Sequence, residues 1–414
     1  MSSPNKLNTT HQVLLKLISN SLFGAQYTFP NNNIDWDPVI KESILQSVAI
    51  IAFAGIKKAE EIPSKTYCYF GETALSISSK SLSVHGNHAV IDKLFSENGI
   101  NYSILKGCSS AYYYPRPDYR LMGDVDFIIK EEDYERTNNL LLQNGFNRWS
   151  KNTKHHIVYT KKNIHIELHL QPAGIPDKGK YSIILKEFFA DIFEKNEKVR
   201  NLVDFNKPSH FHHGLILLCH TYHHLLSEGI GLRHLCDWAV FVNSFSDEEF
   251  KGMFEEKLKK ASLWKFARLL SLTAVHYLGL PYREWMGDCE EDFTYSLISD
   301  IIEGGNFGQK DKERYNQGSI ISNKGEDGIS KNMPAQFITW ANSVIETKWP
   351  KAKKIRILIP LGWIIFGGRY AIRMFFGKRK NIVSKKIIVK AKSRKEIYSN
   401  FDIFKDYNGG RNEL

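Results

Sequence analysis

Residues 123–129 read Gly-Asp-Val-Asp-Phe-Ile-Ile, and this run constrains the chain more than any other stretch. A strand repeats every two residues. Asp124 and Asp126 therefore share one face, and Val125, Phe127 and Ile129 share the other. Two carboxylates side by side repel each other, and the arrangement is costly unless a cation lies between them. A site so rich in oxygen suits Mg²⁺. Ahead of the run, the mostly apolar residues 102–105 stop at Lys106-Gly107. A loop rich in tyrosine, proline and arginine then fills residues 112–120.

A third acid is available further on. Residues 164–169 alternate cleanly, with Ile164, Ile166 and Leu168 on one face and His165, Glu167 and His169 on the other. Residues 156–159 precede them across a polar turn at 160–163, which reads as a hairpin. A strand carrying Glu167 beside the strand of Asp124 and Asp126 would give a three-carboxylate site. Two Mg²⁺ ions held in such a site can activate an attacking hydroxyl and steady a departing pyrophosphate. Lys106 and Gly107 form a turn whose backbone N–H groups suit phosphate oxygens, and the hydroxyls of Ser109 and Ser110 lie close in sequence. Arg116 and Arg120 could neutralise a triphosphate, and surface ion pairing serves them equally well.

In this order the residues resemble the uncharacterised nucleotidyltransferase family of bacteria, within the DNA polymerase beta superfamily. The resemblance rests on Leu105-Lys106-Gly107, Tyr114-Pro115, Arg120, Asp124 and Asp126, Gly145-Phe146, and Glu167-Leu168-His169. It continues through residues 231–237 and 304–308, and so covers most of the chain. The wider superfamily usually has Gly-Gly or Gly-Ser at the turn and a shorter gap to the first aspartate. Here the turn is Gly107-Cys108, with a longer loop. The resemblance implies an α+β fold: a small mixed β-sheet nucleotidyltransferase core, N-terminal helices and a large C-terminal helical region. It also implies a Mg²⁺ cofactor, for which Mn²⁺ could substitute. The substrate would be an NTP, taken as ATP by default, and the acceptor a small molecule, glycan or peptide.

Composition narrows the class. The 414 residues suffice for two or three domains, and 42% hydrophobic with 13% aromatic content marks a folded chain. The five cysteines are widely spread and include no Cys-x-x-Cys pair, which argues against a disulfide framework or structural zinc site and suits a reducing cytoplasm. Residues 1–5 are polar and lack a signal-peptide core. The net charge of +11 fits a nucleotide, a nucleic acid or a membrane surface. Much of the excess lies between Lys348 and Lys395, as a solvated tail or a binding surface.

Along the chain, residues 1–100 read as a helical preface, with apolar spacing over 11–22 and 38–58, a serine-rich bridge at 76–83 and a helix at 89–97. Residues 101–175 form the catalytic core, whose main helix spans 131–144 and is capped by Gly145. Residues 176–308 read as helical, 309–333 as a flexible loop, and 334–414 as helices and a basic tail. The apolar run at 355–376 is broken by Arg356, Pro360, Arg369 and Arg373. Its longest charge-free part is shorter than the ~20 residues of a membrane span, so it reads as a buried terminal helix, with peripheral membrane contact left open.

His220 and His224 are four apart on one helical face, as zinc ligands can be. No Glu-x-x-His partner or suitably spaced cysteine accompanies them, so they read as core histidines. The resemblance implies that their helix packs by the sheet and that they line the nucleotide pocket. Three function classes result. The first is a nucleotidyltransferase with Asp124, Asp126 and Glu167 as catalytic and metal-holding residues and Lys106, Gly107, Ser109, Arg120, His220 and His224 at the nucleotide. The second is an inactive nucleotide-binding or scaffold protein of the same fold, favoured by Cys108 at the turn. The third, a polymerase or tailing enzyme, lacks any nucleic-acid-binding motif.

Overall fold

The structure is a computed structural model. It describes residues 7–26, 29, 34–56, 62–149, 156–200, 203–288 and 291–311. Beyond these it describes 313, 314, 317, 342, 345, 349, 358–365, 368, 389–392, 394, 395 and 398. The chain divides into two compact units. One holds the described residues up to Asp311 except 226–228, and the other holds 226–228 with the described residues from 313 to 398.

The N-terminal region begins with α1 (Thr9–Phe23), α2 (Trp36–Leu45) and α3 (Ala49–Ala54). The single helix expected over 38–58 is broken, because Ser47 adopts a φ of 59° between α2 and α3. The next element also departs from the sequence reading. Residues 76–83 are no bridge: α4 runs unbroken from Ser64 to Glu97, 34 residues. The Ser79 and Thr73 hydroxyls donate to carbonyls four residues back instead of competing with the helix. A buried face made by Phe70, Ala74, Ser81, Val84, His88, Ile91 and Phe95 recurs every three to seven positions and holds the helix on its neighbours.

The core sheet has the order β1-β2-β5-β4-β3. Its strands are β1 (Tyr102–Ile104), β2 (Val125–Ile129), β3 (Asn147–Arg148), β4 (His156–Lys161) and β5 (Ile164–His169). Only β2 and β5 run parallel; β1–β2, β3–β4 and β4–β5 are antiparallel. Between strands lie α5 (Cys108–Ala111) and α6 (Tyr134–Gln143). The apolar sides of the strands meet α4 in one cluster, where Phe127 and Tyr102 each pack edge-on against Phe95. The opposite side carries Asp126 and the buried Ile128 on β2 and Glu167 and His169 on β5.

After the sheet come α7 (Lys180–Phe189), an antiparallel ribbon of β6 (Glu197–Val199) and β7 (Phe205–Lys207), and α8 (His210–Leu226). The ribbon falls where only helices were expected, since three-residue strands carry too little periodicity to read. Helices α9 (Leu232–Asn243), α10 (Asp247–Lys260), α11 (Trp264–Leu278) and α12 (Glu291–Gly304) follow. A capping box opens α10: Ser246 Oγ accepts from Glu249 N at 3.2 Å, and the Glu249 carboxylate accepts from Ser246 N at 2.8 Å.

In the second unit, Trp363 Nε1 donates to Asn342 Oδ1 at 2.8 Å, and Arg394 Nη1 donates to Gln317 Oε1 at 3.2 Å. Of the apolar run at 355–376, only 358–365 and 368 are described. They are helical, with Gly362 against Ile345 but Leu361 and Ile364 exposed, so this part is buried on one side only. No described helix is long and apolar enough to cross a membrane. Most of the expected loop at 309–333 and most of the basic tail lie outside the described residues.

Buried histidines set how the fold responds to acid. Burial pushes the His88 imidazole down to about 4 and that of His213 well below its ordinary value. An unfolded chain takes up these protons near pH 6.5. Their contribution to stability is complete above that pH and is lost as pH falls towards 4. For His88 alone, the loss at pH 5 is about 2 kcal/mol. Urea unfolding should show a lower midpoint near pH 5 than near pH 7.5, and equal midpoints would contradict this burial.

Candidate active site

The site forms where β1 ends, β2 begins and β5 lies alongside. Leu105 N donates to Asp126 O at 3.0 Å, which carries the β1–β2 ladder one step beyond the strand and sets Lys106 beside Asp126. Gly107 then turns the chain with φ 56° and ψ −118°, a conformation side chains disfavour. A Cβ there would also lie 2.6 Å from His88 Nε2. Glycine is thus required both for the turn and for the close approach of α4.

The parallel register of β2 and β5 places Asp126 directly beside Glu167. His169, two residues on, has the same facing. Asp126, Glu167 and His169 each offer a ligand atom within 4.8 Å of the others. His169 Nε2 donates to Asp126 Oδ1 at 3.1 Å and lies 3.7 Å from Glu167 Oε2. Asp124 stands at the bend before β2, outside this trio but close enough to interact strongly with Asp126.

The charges are unevenly shared. The Asp126 carboxylate, and burial after it, push the Asp124 carboxyl up to about 6. Burial opposes ionisation of Asp126 as well. Lys106 and then His169 outweigh it and hold that carboxyl well below the usual carboxylate range. Lys106 Nζ lies 2.9 Å from Asp126 Oδ1 and donates to His220 Nε2 at 3.2 Å. Burial, and Lys106 after it, keep His220 well below its ordinary value, so its ring is neutral and can accept that bond.

Asp124, Asp126, Glu167, Lys106, Gly107 and His220 thus lie together. His224 adjoins His220, with ring centroids 4.3 Å apart. Ser109 and Arg120 lie at the turn, but their polar groups face inward. Ser109 Oγ donates to Ile104 O at 2.6 Å and is fully buried. Arg120 grips Asp237 of α9 with two bonds of 2.8 Å, and its Nη1 donates to Gly107 O at 3.3 Å. Tyr114 donates to the same aspartate at 2.7 Å. Cys108 is buried, its sulfur 3.4 Å from His85 Nδ1, and burial pushes the thiol up to about 12. The motifs at 231–237 and 304–308 also meet: a Cβ on Gly231 would come within 2.8 Å of Asn306 Cα, and Arg233 lies over the Phe307 ring at 5.6 Å.

Sequence reasoning assigned no role to His169 or to the Arg120–Asp237 brace. The first was legible in the alternation that gives His169 the facing of Glu167. The second was not, because its partners are 117 residues apart.

A buried guanidinium losing its counter-charge is expensive. Asp237→Asn should therefore destabilise the protein by roughly 3–5 kcal/mol. Tyr114→Phe removes one hydrogen bond and should cost about 1 kcal/mol. Denaturant unfolding of the two variants tests the ranking, and an Asp237→Asn protein as stable as wild type would remove the brace from the argument.

The donor set fits a divalent cation, since Asp126, Glu167 and His169 converge, and Asp124, whose carboxyl Asp126 pushes up to about 6, stands beside them. A comparison with curated proteins finds no match. The chain matches the model of the uncharacterised nucleotidyltransferase family over residues 32–279, more than half its length and the whole of the sheet, the Gly107 turn and the helices that brace it. It is a member of the uncharacterised nucleotidyltransferase family.

Proposed function

We propose that the protein transfers a nucleoside monophosphate from an NTP, with ATP as the default donor, to an acceptor hydroxyl or phosphate. The observation that carries this reading is the register pairing of Asp126 with Glu167, which joins acids 41 residues apart in sequence on one face of the sheet. The acceptor oxygen forms a bond to the α-phosphorus, the α–β phosphoanhydride bond breaks, and pyrophosphate leaves with its electron pair. Asp124, Asp126 and Glu167 would hold Mg²⁺. When bound, the ion lowers the acceptor hydroxyl's pKa and offsets charge on the leaving group.

The remaining roles belong to the chain's own groups. Glu167 is half-buried beside Asp126 and would take up the acceptor proton. His169 holds the Asp126 carboxylate in orientation through the 3.1 Å bond. Lys106 and the backbone of the Gly107 turn would face the phosphates, while Ser109 and Arg120 keep that turn in shape through their inward bonds. His220 and His224 would border the nucleotide. The inactive-scaffold alternative drew on Cys108. That residue is packed against His85 in the interior, so it places no thiol in the way of a phosphate.

Glu167 separates an enzyme from a scaffold. Asp124 and Asp126 would serve donor binding and chemistry together, whereas Glu167 serves the acceptor side. Glu167→Gln should leave NTP affinity within a few-fold and lower pyrophosphate release by at least ~10²-fold, a loss of general-base size. Calorimetry and a pyrophosphate assay in one buffer, with extract fractions as the acceptor source, make the comparison. Equal turnover in both proteins would take Glu167 out of the site.

A further inference from the structure

The Asp126 carboxylate already has a positive partner, and the partner is tethered. Lys106 Nζ sits 2.9 Å from Asp126 Oδ1, and its side chain is only 19% exposed. Three features hold it there. The Leu105 N to Asp126 O bond fixes the backbone one residue before it. The Gly107 turn fixes the backbone one residue after it, clamped by His88 behind and by Arg120 on its carbonyl. His220 Nε2 accepts from the ammonium at 3.2 Å. His169 donates to the same Asp126 oxygen from the β5 side. The carboxylate is therefore approached by an ammonium and an imidazole N–H before any outside cation arrives.

Resting on the reading above, we infer that Lys106 is a tethered counter-ion that competes with a divalent metal for Asp126 and yields it when a triphosphate arrives. The competition is electrostatic: a divalent ion binding at Asp126 and Glu167 must displace the ammonium or bear its repulsion. A triphosphate changes this balance, because it offers the ammonium another anion within reach of its flexible four-carbon stem. Metal and nucleotide then favour each other's binding, and linkage makes the coupling reciprocal. The device keeps bare metal from occupying the site and makes the metal site complete only with the donor present. His220 acts as a positioning residue, a neutral acceptor that keeps the ammonium beside Asp126.

The test uses Mn²⁺ alone, without nucleotide, titrated calorimetrically into the full chain at neutral pH. Lys106→Met should bind Mn²⁺ at least about tenfold more tightly than wild type, a change of ~1.4 kcal/mol. Lys106→Arg keeps the charge and should stay near wild type. Asp126→Asn should lose the binding. A thermal melt shows which variants are folded, and Lys106→Gln carries the same expectation should the methionine variant fail to fold. Unchanged or weaker Mn²⁺ binding by the neutral variants, with binding still lost in Asp126→Asn, would overturn the counter-ion and leave the metal site standing. Mn²⁺ binding that is absent or indifferent to Asp126 in every variant would overturn both.

Discussion

A buried carboxylate has to be compensated, and in this protein the compensation of Asp126 organises everything near it. Its charge is taken out of water on β2, and the cost is met by an ammonium from the end of β1 and an imidazole from β5. Asp124 bears the consequence. With its neighbour held ionised, it meets the repulsion, and its carboxyl rises to about 6. Two acids one residue apart, Asp124 at the bend before β2 and Asp126 on it, thus have different proton affinities, the difference set by which has direct partners.

The helices explain why this arrangement is rigid. Helix α4 presses His88 against Gly107 from one side, and α9 reaches the same turn from the other through Asp237 and Arg120. A turn with positive φ is held by groups drawn from three separate parts of the chain, His88 of α4, Asp237 of α9 and Arg120 of the loop before β2. The histidine-rich α8 supplies His220 at the ammonium. His224 and His234 then pass the contact to Phe307 through edge-on ring pairs at 4.8 and 5.2 Å. The helical region is therefore part of the site's wall, which suits a family whose matched span takes in both sheet and helices.

The sheet itself is built for one-sided use. Its apolar side packs on α4, and the parallel β2–β5 pair places the polar side chains of two strands in step. A one-residue slip of β5 would turn Glu167 and His169 into the apolar core and bring Leu168 to the acids. Burial of Ile166 and Leu168 against Phe127 and Phe95 therefore also fixes the chemistry.

The sequence by itself determined the strands of the acids, the alternation that gives Glu167 and His169 one facing, the glycine turn after Lys106 and the capped helices. All of these are local, set by period, turn chemistry and burial within a few residues. It misread the serine-rich stretch of α4, because serine's weak helix propensity is overridden by packing from Phe70 to Phe95 that no local rule contains. It also missed the ribbon of β6 and β7. Only the tertiary structure decided which acid is neutralised, that Lys106 and His169 share an oxygen of Asp126, and that Arg120 faces Asp237. Those outcomes depend on desolvation and on partners up to 117 residues apart, and charge balance in a buried site is fixed by distance in space rather than by order in the chain.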